Sequence, residues 1–544
     1  MAVKLLIAVR DMKSISIWVF AAFSFFLTGG FKQLCAAVYF VDQAHSAAND
    51  GSSGTEASPW KTIAKANSTL QAGDTVFIKG GIYNSPIKPA RSGTATQPLI
   101  YSSYVDDVVT ISNIVVGVEL INKDYITVKG VNCVRLDTFL NMEGASHNTI
   151  AYCTFSKMRN LRLWQGSRLY WNSQYNWIHH CTFSEYGSHA NSTDTGTVVA
   201  IGEEENQTDH SWYNRFEDNT LYFGGHDVMS LDARYTVIRR NRFHNGDWNG
   251  HGMRNLITTG YEVESGWNLI EGNIFSYSGY PVHPSEAGSA GCTIATRNNI
   301  IRGNLFYHNN ENGLILSHTA NYMDVPSHNR IYHNTFFHNG FNTNPDEPHE
   351  ALCGLGFALW SRAGSETISG NVVKNNIFWK NAKAWDSYPS TLVNAQTFVG
   401  NWEEAADPKF IDASATLGNE FDFSRPNLRL QSASPCIDAG MFLTMVTSAA
   451  GSGRSFTVGD SLYFTDGWGV VPGDEVQLEG TSQRARITSI NQTTKTIGVD
   501  ADLNWKQNQG LSLAYSGSKP DIGAFEEATV QSPPSAPTNL RIVE

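Results

Sequence analysis

The chain has 544 residues, 39 Lys and Arg against 51 Asp and Glu, a formal charge of −12, and 41% hydrophobic residues. That charge argues against nucleic acid as the main partner, and an acidic surface also repels an acidic glycan unless a local basic patch or bound cations intervene. The length allows one large unit and something smaller, and the scattered cysteines do not read as a zinc site.

At the N-terminus Lys4, Arg10 and Lys13 precede an apolar run from Ile15 to Leu27, and small residues follow at Cys35, Ala36 and Ala37. This predicts a secretory signal over residues 1–37, cut after Ala37. The run is short for a membrane span, so the expected mature protein is secreted, extracellular or periplasmic, and monomeric. Next, Ser58 and Pro59 suit an N-cap and a first helical position, with Ile63, Ala66 and Leu70 as an apolar face and Gly73 as a stop. This helix is expected to cap the N-terminal end of a solenoid, because an open solenoid end exposes strand edges.

From Ile150 onward one phrase recurs: an aliphatic residue, two residues, Asn or Cys, one residue, then Phe or Leu. Its central positions are Cys153, Cys181, Asn219, Asn241, Asn273, Asn304, Asn334 and Asn376, at steps of 28, 38, 22, 32, 31, 30 and 42 residues. Each copy is too short for a helical repeat, and β-branched and aromatic residues dominate. Eight copies at irregular spacing predict a parallel β-helix with coils of roughly 20 to 30 residues and inserted loops, running from about Thr75 to Leu430. Coils stacked about 4.8 Å apart turn equivalent residues into ladders. An inward Asn at a bend bonds backbone groups and the next Asn, and the Phe two residues on stacks into the interior. Cys153 and Cys181 either form a disulfide between coils or stand as small buried replacements for Asn.

Aligning the coils on the Phe or Leu anchor brings polar residues together just downstream: His189 after Phe183, His226 and Asp227 after Leu221, Asp247, Trp248 and His251 after Phe243, and Tyr280 and His283 after Phe275. Strand alternation from His226 to Asp232 points Met229 and Leu231 inward and His226, Ser230 and Asp232 outward. Arg254 adds a guanidinium one coil later, and Glu203, Glu205 and Asp209 add carboxylates one coil earlier. Two chemistries fit. A lyase needs a base near neutral pKa and cations to stabilise an enolate. His226 or His251 would be the base, and Arg254, or Ca²⁺ held by Asp227, Asp232 or Asp247, the cation. A hydrolase needs two carboxylates, roughly 5–5.5 Å apart for retention or 6.5–9.5 Å for inversion, for which Asp232 with Asp247 or Glu203 would serve. Trp248, Tyr280, His189 and His283 are the expected sugar contacts, since aromatic faces suit sugar rings. The competing reading is that His, Asn and Asp collect here because they suit tight turns.

Between Gly440 and Pro520 apolar and polar residues alternate, as in Glu475–Leu478 and Ala485–Ile490, which predicts a small inserted β-domain over 441–517. A Pro-rich tail occupies 528–544.

Beyond the recurring phrase, three sets of residues bear on identity: the entry segment Val38–Asp42 with Ser58–Ile63 and Ala72–Tyr83, the pair Arg91–Thr94 and Gln97–Ile100, and the closing phrases Asp407–Asp412, Ser434–Gly440 and Pro520–Glu526. On these the chain resembles the right-handed parallel β-helix proteins, the superfamily of pectate lyases and related polysaccharide enzymes. The resemblance implies an all-β, right-handed parallel β-helix solenoid over 38–440, closed by a strand at 518–527, with an N-terminal capping helix and the inserted β-domain. It implies a secreted polysaccharide-active protein, with a lyase on uronic-acid glycans first. A glycoside hydrolase on the same fold, or a glycan-binding protein without catalysis, are the alternatives, because one fold hosts many functions.

Overall fold

The structure, a computed structural model, describes residues 36–159, 165–185, 197–202, 209–224, 227–244, 266–278, 290–318, 325–341, 352–359, 367–404, 406–413 and 425–526. The expected signal segment lies almost wholly outside them. Among the described residues no helix is long and apolar enough to cross a membrane.

Three faces of parallel strands wind along one axis. The first sheet has 13 strands from Val38–Val41 to Thr397–Val399, and the second has 12 from Gly81–Tyr83 to Trp402–Glu403. Among the described residues the third face shows five strands from Val116–Ile121 to Asp227–Leu231 and four from Cys292–Ile294 to Trp385–Tyr388. The coils begin earlier than expected, because Val38–Val41 already pairs in parallel with Thr75–Ile78. They also stop earlier, because Phe410–Asp412 and Asn427–Leu430 form an antiparallel pair.

The capping helix spans Ile63–Thr69 and buries Ile63 and Ala66. Its N-cap is Thr62, whose Oγ1 accepts from the Lys65 amide at 3.1 Å, rather than Ser58. Asp50 decides this: its carboxylate accepts from the Lys61 and Thr62 amides and from Thr62 Oγ1, holding the chain extended up to Thr62. Ser58 instead accepts the Gly54 amide in a tight turn.

The recurring phrase is the bend from first to second sheet. In one copy Ile300–Arg302 ends the first-sheet strand, Asn304 sits at the bend, and Leu305–Tyr307 opens the second-sheet strand. The residue before each ladder position is left-handed, at φ of 50–55° in Tyr152, His180, Asp218, Arg240, His333 and Asn375 and at 64° and 65° in Gly272 and Gly303, which turns the chain the corner. The Asn side chains bond as expected. Nδ2 of Asn219, Asn241, Asn273, Asn304, Asn334 and Asn376 each donates to the Oδ1 one coil on, at 3.0–3.1 Å, ending on Asn401. Phe243, Phe275, Phe306, Phe336 and Phe378 stack face to face at 4.7–4.9 Å inside. Cys153 and Cys181 are buried free thiols. The thiol of Cys181 donates to backbone carbonyls at 3.3 and 3.6 Å, as a small replacement for Asn.

Two further ladders flank the first at a spacing of five residues. Asn299, Asn329 and Asn371 lead to Gln396, and Asn309 and Asn339 lead to Asn381, at 2.8–3.0 Å. Three Asn per coil thus serve the three bends, one each, and their amides satisfy buried backbone groups that would otherwise be costly.

Near the C-terminus Thr444–Leu513 contribute a six-stranded antiparallel sheet. It packs on the outer face of the first sheet, where Val237, Leu269, Ile300 and Tyr332 share a buried cluster with Val446, Phe464 and Val476. A buried ion pair pins it: Arg302 donates to both oxygens of Asp474 at 2.8 and 2.6 Å. The closing phrases meet in space, with the Gly440 amide on the Pro520 carbonyl and the Ile522 amide on the Cys436 carbonyl. The segment after Pro520 forms bends rather than the expected strand, because Asp521 turns its carboxylate onto the Asp438 amide.

Candidate active-site groove

The outward face of the five-stranded run on the third face carries the chemistry that the described residues bring together. Register places Glu119, Asn141, Arg168, Ala200 and Ser230 in one outward row. One alternate position further along, Ile121, Glu143 and Tyr170 form the next row, which continues to Gly202 and Asp232. Residues between these rows, Leu120, Met142, Leu169, Ile201 and Leu231, are fully buried in the core, so alternation sets which side chains face out.

Arg168 is held from two sides. Its Nε donates to Asn141 Oδ1 at 2.6 Å and its Nη2 to Glu143 Oε1 at 2.7 Å. Asn141 and Glu143 are buried, while the Arg168 side chain keeps 38% exposure. A planar guanidinium anchored on one edge presents its remaining N–H groups in a fixed direction. Lys88 pairs with Glu119 at 2.9 Å beside it.

Of the expected site residues, His189, His226, Asp247, Trp248, His251, Arg254, Tyr280 and His283 lie outside the described residues, as do Glu203 and Glu205. Asp227 opens the strand Asp227–Leu231 and pairs with Thr197, but its side chain is not described. Asp232 follows that strand and is 2% exposed, with its amide on the Ile201 carbonyl at 2.7 Å. Met229 and Leu231 point into the core as expected, and Ser230 and Asp232 take the alternate positions, where both are buried rather than open. Gly202 is what lets Asp232 sit there: its φ is +83°, and a Cβ would lie 1.9 Å from the Asp232 carbonyl oxygen. Asp209, expected as a site carboxylate, is instead a buried brace, accepting from the Asn172 amide at 2.8 Å and Ser211 Oγ at 2.7 Å. Six histidines, His147, His180, His308, His328, His333 and His338, occupy left-handed turns at φ of 50–59°, so turn geometry by itself accounts for much of the histidine content.

Arg168, Asn141 and Glu143 are the residues that alignment on the Phe anchor misses. The third-face strands begin 10 residues after Phe155, 14 after Phe183 and 6 after Leu221, so no fixed offset finds them. The usable signal is the alternation within Thr138–Glu143 and Gln165–Tyr170.

A second charged cluster sits on the outer face of the first sheet. Fully buried Glu217 meets Arg215 at 2.5 Å, Arg239, and Arg240 at 3.7 Å, and accepts Trp177 Nε1 at 3.2 Å. With the buried carboxylate paired from neighbouring coils, this cluster acts as a brace between them. No group of three or more His, Cys, Asp or Glu is placed to hold a metal among the described residues.

A family model for a Pel9A-like right-handed β-helix region matches residues 39–210, and one for a right-handed β-helix region matches residues 206–398. Among curated proteins, the uncharacterized protein YwoF of Bacillus subtilis (strain 168) is 33% identical over 79 residues, 14% of this chain and 16% of that protein. The match therefore spans about one-sixth of that relative's length. Among solved structures, pectate lyase Pel9A is 15% identical with a TM-score of 0.48, covering 90% of this chain and 96% of its own. A rhamnogalacturonan lyase is 14% identical with a TM-score of 0.45, covering 73% and 97%. Parallel coils on three faces, together with the two family models that between them run from residue 39 to 398, make this chain a right-handed parallel β-helix protein.

Proposed function

We propose that this is a secreted polysaccharide lyase that cleaves uronic-acid glycans by β-elimination in the groove over the third face. The supporting observation is the Arg168 guanidinium, fixed by Asn141 and Glu143 on the outward side of the third face with 38% of its side chain exposed. In β-elimination a base takes the C5 proton, the electron pair forms the C4–C5 double bond, and the C4–O bond breaks to a leaving oxygen that gains a proton. Negative charge builds on the uronate carboxylate in between, and a preorganised cation there stabilises it. Arg168 suits that task through bidentate pairing with a carboxylate. His226 or His251 would take the proton, with Arg254 as a further cation. Asp227, Asp232 and Asp247 are the oxygen donors proposed for Ca²⁺, which would add positive charge beside the carboxylate.

For the hydrolase alternative, Asp232 with Asp247 or Glu203, both partners of Asp232 lie outside the described residues. Among the described carboxylates, Glu143 and Asp232 stand three coils apart in one row, about 14 Å at 4.8 Å per coil, beyond the roughly 9.5 Å limit for an inverting pair. Glu119 and Glu143 are diagonal neighbours, but each is committed to a cation, Lys88 and Arg168 respectively.

The test is ultraviolet absorbance of unsaturated ends during incubation with a panel of uronate polysaccharides, with and without Ca²⁺. Wild type is expected to raise the absorbance, and Arg168→Ala to lower kcat/KM by about 10²–10³ with the fold intact. A flat trace on every polyuronate, or full activity in Arg168→Ala, overturns the proposal. Reducing-sugar release without unsaturated ends would point to hydrolysis.

A further inference from the structure

A cavity lies away from Arg168, where the C-terminal antiparallel sheet meets the corner between the third face and the first sheet. Along that corner the side chains at one left-handed turn position form a ring stack: Tyr125 on His147 at 4.8 Å, His147 on Tyr175 at 5.0 Å, Tyr175 on Tyr213 at 5.0 Å and Tyr213 on Tyr235 at 5.2 Å. Interplanar angles are 2°, 3°, 3° and 14°, so the rings follow the coil rise. At Tyr235 the order changes, because Trp468, in the turn between the strands Gly451–Thr457 and Glu475–Leu478, comes in tilted by 55° at 5.5 Å. A cavity of about 440 Å³ opens there, walled by Tyr213, Tyr235 and Trp267 on one side and by Asp466, Trp468 and Gln492 on the other. Its size falls within the roughly 300–1,000 Å³ of ligand pockets.

We propose that this cavity binds a neutral pyranose unit of a glycan. Tyr213 is stacked on both faces, so Tyr235, Trp267 and Trp468 supply the aromatic surface for the C–H side of a sugar ring, the arrangement by which aromatics gain most from a partly apolar ligand. The opposite wall supplies the hydroxyl partners. Asp466 makes no ion pair among the described residues, and its Oδ1 accepts the Trp468 amide at 3.1 Å, which aligns the carboxylate. Gln492 Oε1 accepts Ser461 Oγ at 2.6 Å, which sets the amide so that its nitrogen is the donor end. A carboxylate that accepts and an amide that donates match a ring bearing several hydroxyls. The same carboxylate disfavours a uronate, whose charge it would repel in a partly desolvated space. The site therefore selects a different sugar from the one the groove is proposed to cleave, and it stands independently of that reading. It would hold a neutral backbone or branch of the polymer beside the solenoid.

The test is calorimetric titration of the full chain with cellotriose, xylotriose and β-1,4-galactotriose, and with trigalacturonate as the charged control. At least one neutral trisaccharide is expected to bind with a Kd of about 1 mM or tighter, more tightly than trigalacturonate at this site. Trp468→Ala should weaken it about tenfold, the loss expected for one buried aromatic face. Asp466→Asn, which keeps the shape of the turn, should weaken it as well and decides the question if Trp468→Ala does not fold. Arg168→Ala, which tests the groove, should leave this binding unchanged. No binding of any neutral trisaccharide up to about 10 mM, or equal binding in wild type, Trp468→Ala and Asp466→Asn, overturns the proposal.

Discussion

Replacing Asn304 by Ala tests whether the Asn ladder carries the solenoid's stability. Asn304 is fully buried, and its side chain makes hydrogen bonds on both sides. Its Nδ2 donates to the Ile270 carbonyl at 2.9 Å and to Asn334 Oδ1 at 3.0 Å, and its Oδ1 accepts the Asn273 amide at 2.8 Å and Asn273 Nδ2 at 3.1 Å. At about 1 kcal/mol net per bond, with the buried Asn273 amide left without its acceptor, Asn304→Ala should cost about 3–5 kcal/mol. Two companion variants separate the causes. Cys is what the chain itself places at the ladder positions 153 and 181, where a thiol still donates to a carbonyl. Asn304→Cys should therefore lose less than Ala. Asn304→Asp keeps the oxygen that accepts both Asn273 bonds but turns its second carboxylate oxygen toward the Ile270 carbonyl and Asn334 Oδ1, so it should lose more than Ala. Urea unfolding followed by tryptophan fluorescence measures the loss, and hydrogen exchange of the Asn273 amide locates it, since coils of a solenoid open locally. An Asn304→Ala variant within about 1 kcal/mol of wild type, or an Asp variant as stable as the Ala variant, would refute the reasoning.

Three other outcomes rest on single contacts. Asp474→Ala removes the carboxylate that takes both Nη groups of Arg302, whose side chain is 5% exposed and keeps only Glu271 at 2.7 Å as an ionic partner, and should cost about 3 kcal/mol in urea unfolding, whereas Arg302→Met with Asp474→Leu together should lose less; equal losses in the two would sink this account. Burial first, then the nearby His180 and Arg215, holds the His179 imidazole down at about 4 from its ordinary 6.5. Its folded pKa lies below its unfolded one, so its contribution is complete above about 6.5 and declines as pH falls toward 4. The drop in melting temperature from pH 7 to pH 5 should accordingly shrink in His179→Asn, and an unchanged drop would contradict it. Gly202→Ala forces a Cβ to within 1.9 Å of the Asp232 carbonyl oxygen at φ +83°. It should cost about 3 kcal/mol or more and lower any activity of the groove, so a variant with wild-type melting would show that this coil shifts freely.

The ladder phrase was legible because each coil repeats the same local problem: turn a corner, satisfy the bend, fill the interior. Two more ladders are equally legible, since Asn recurs at intervals of five in 299, 304 and 309, in 329, 334 and 339, and in 371, 376 and 381, but only the middle member is tied to a Phe that marks the coil interior. The helix cap was misplaced by four residues because Ser58 and Pro59 satisfy local capping rules while Asp50, eleven and twelve residues from its backbone partners, overrides them. Histidines near the anchors read as chemistry, yet their recurrence at left-handed turns shows how strongly backbone geometry selects the same residue type.

By itself the sequence determined the solenoid, its interior stack and the Asn that closes each bend, because vertical neighbours in a parallel helix of coils are chemically alike and repeat along the chain. Only the tertiary structure decided which outward side chains share a row. Arg168 meets Asn141 and Glu143 across 27 and 25 residues, and Arg302 meets Asp474 across 172. The loops between second-face and third-face strands vary in length, so sequence distance carries no record of which coil lies on which, and that stacking is what joins a guanidinium to its two anchors and an aromatic corner to the sheet that covers it.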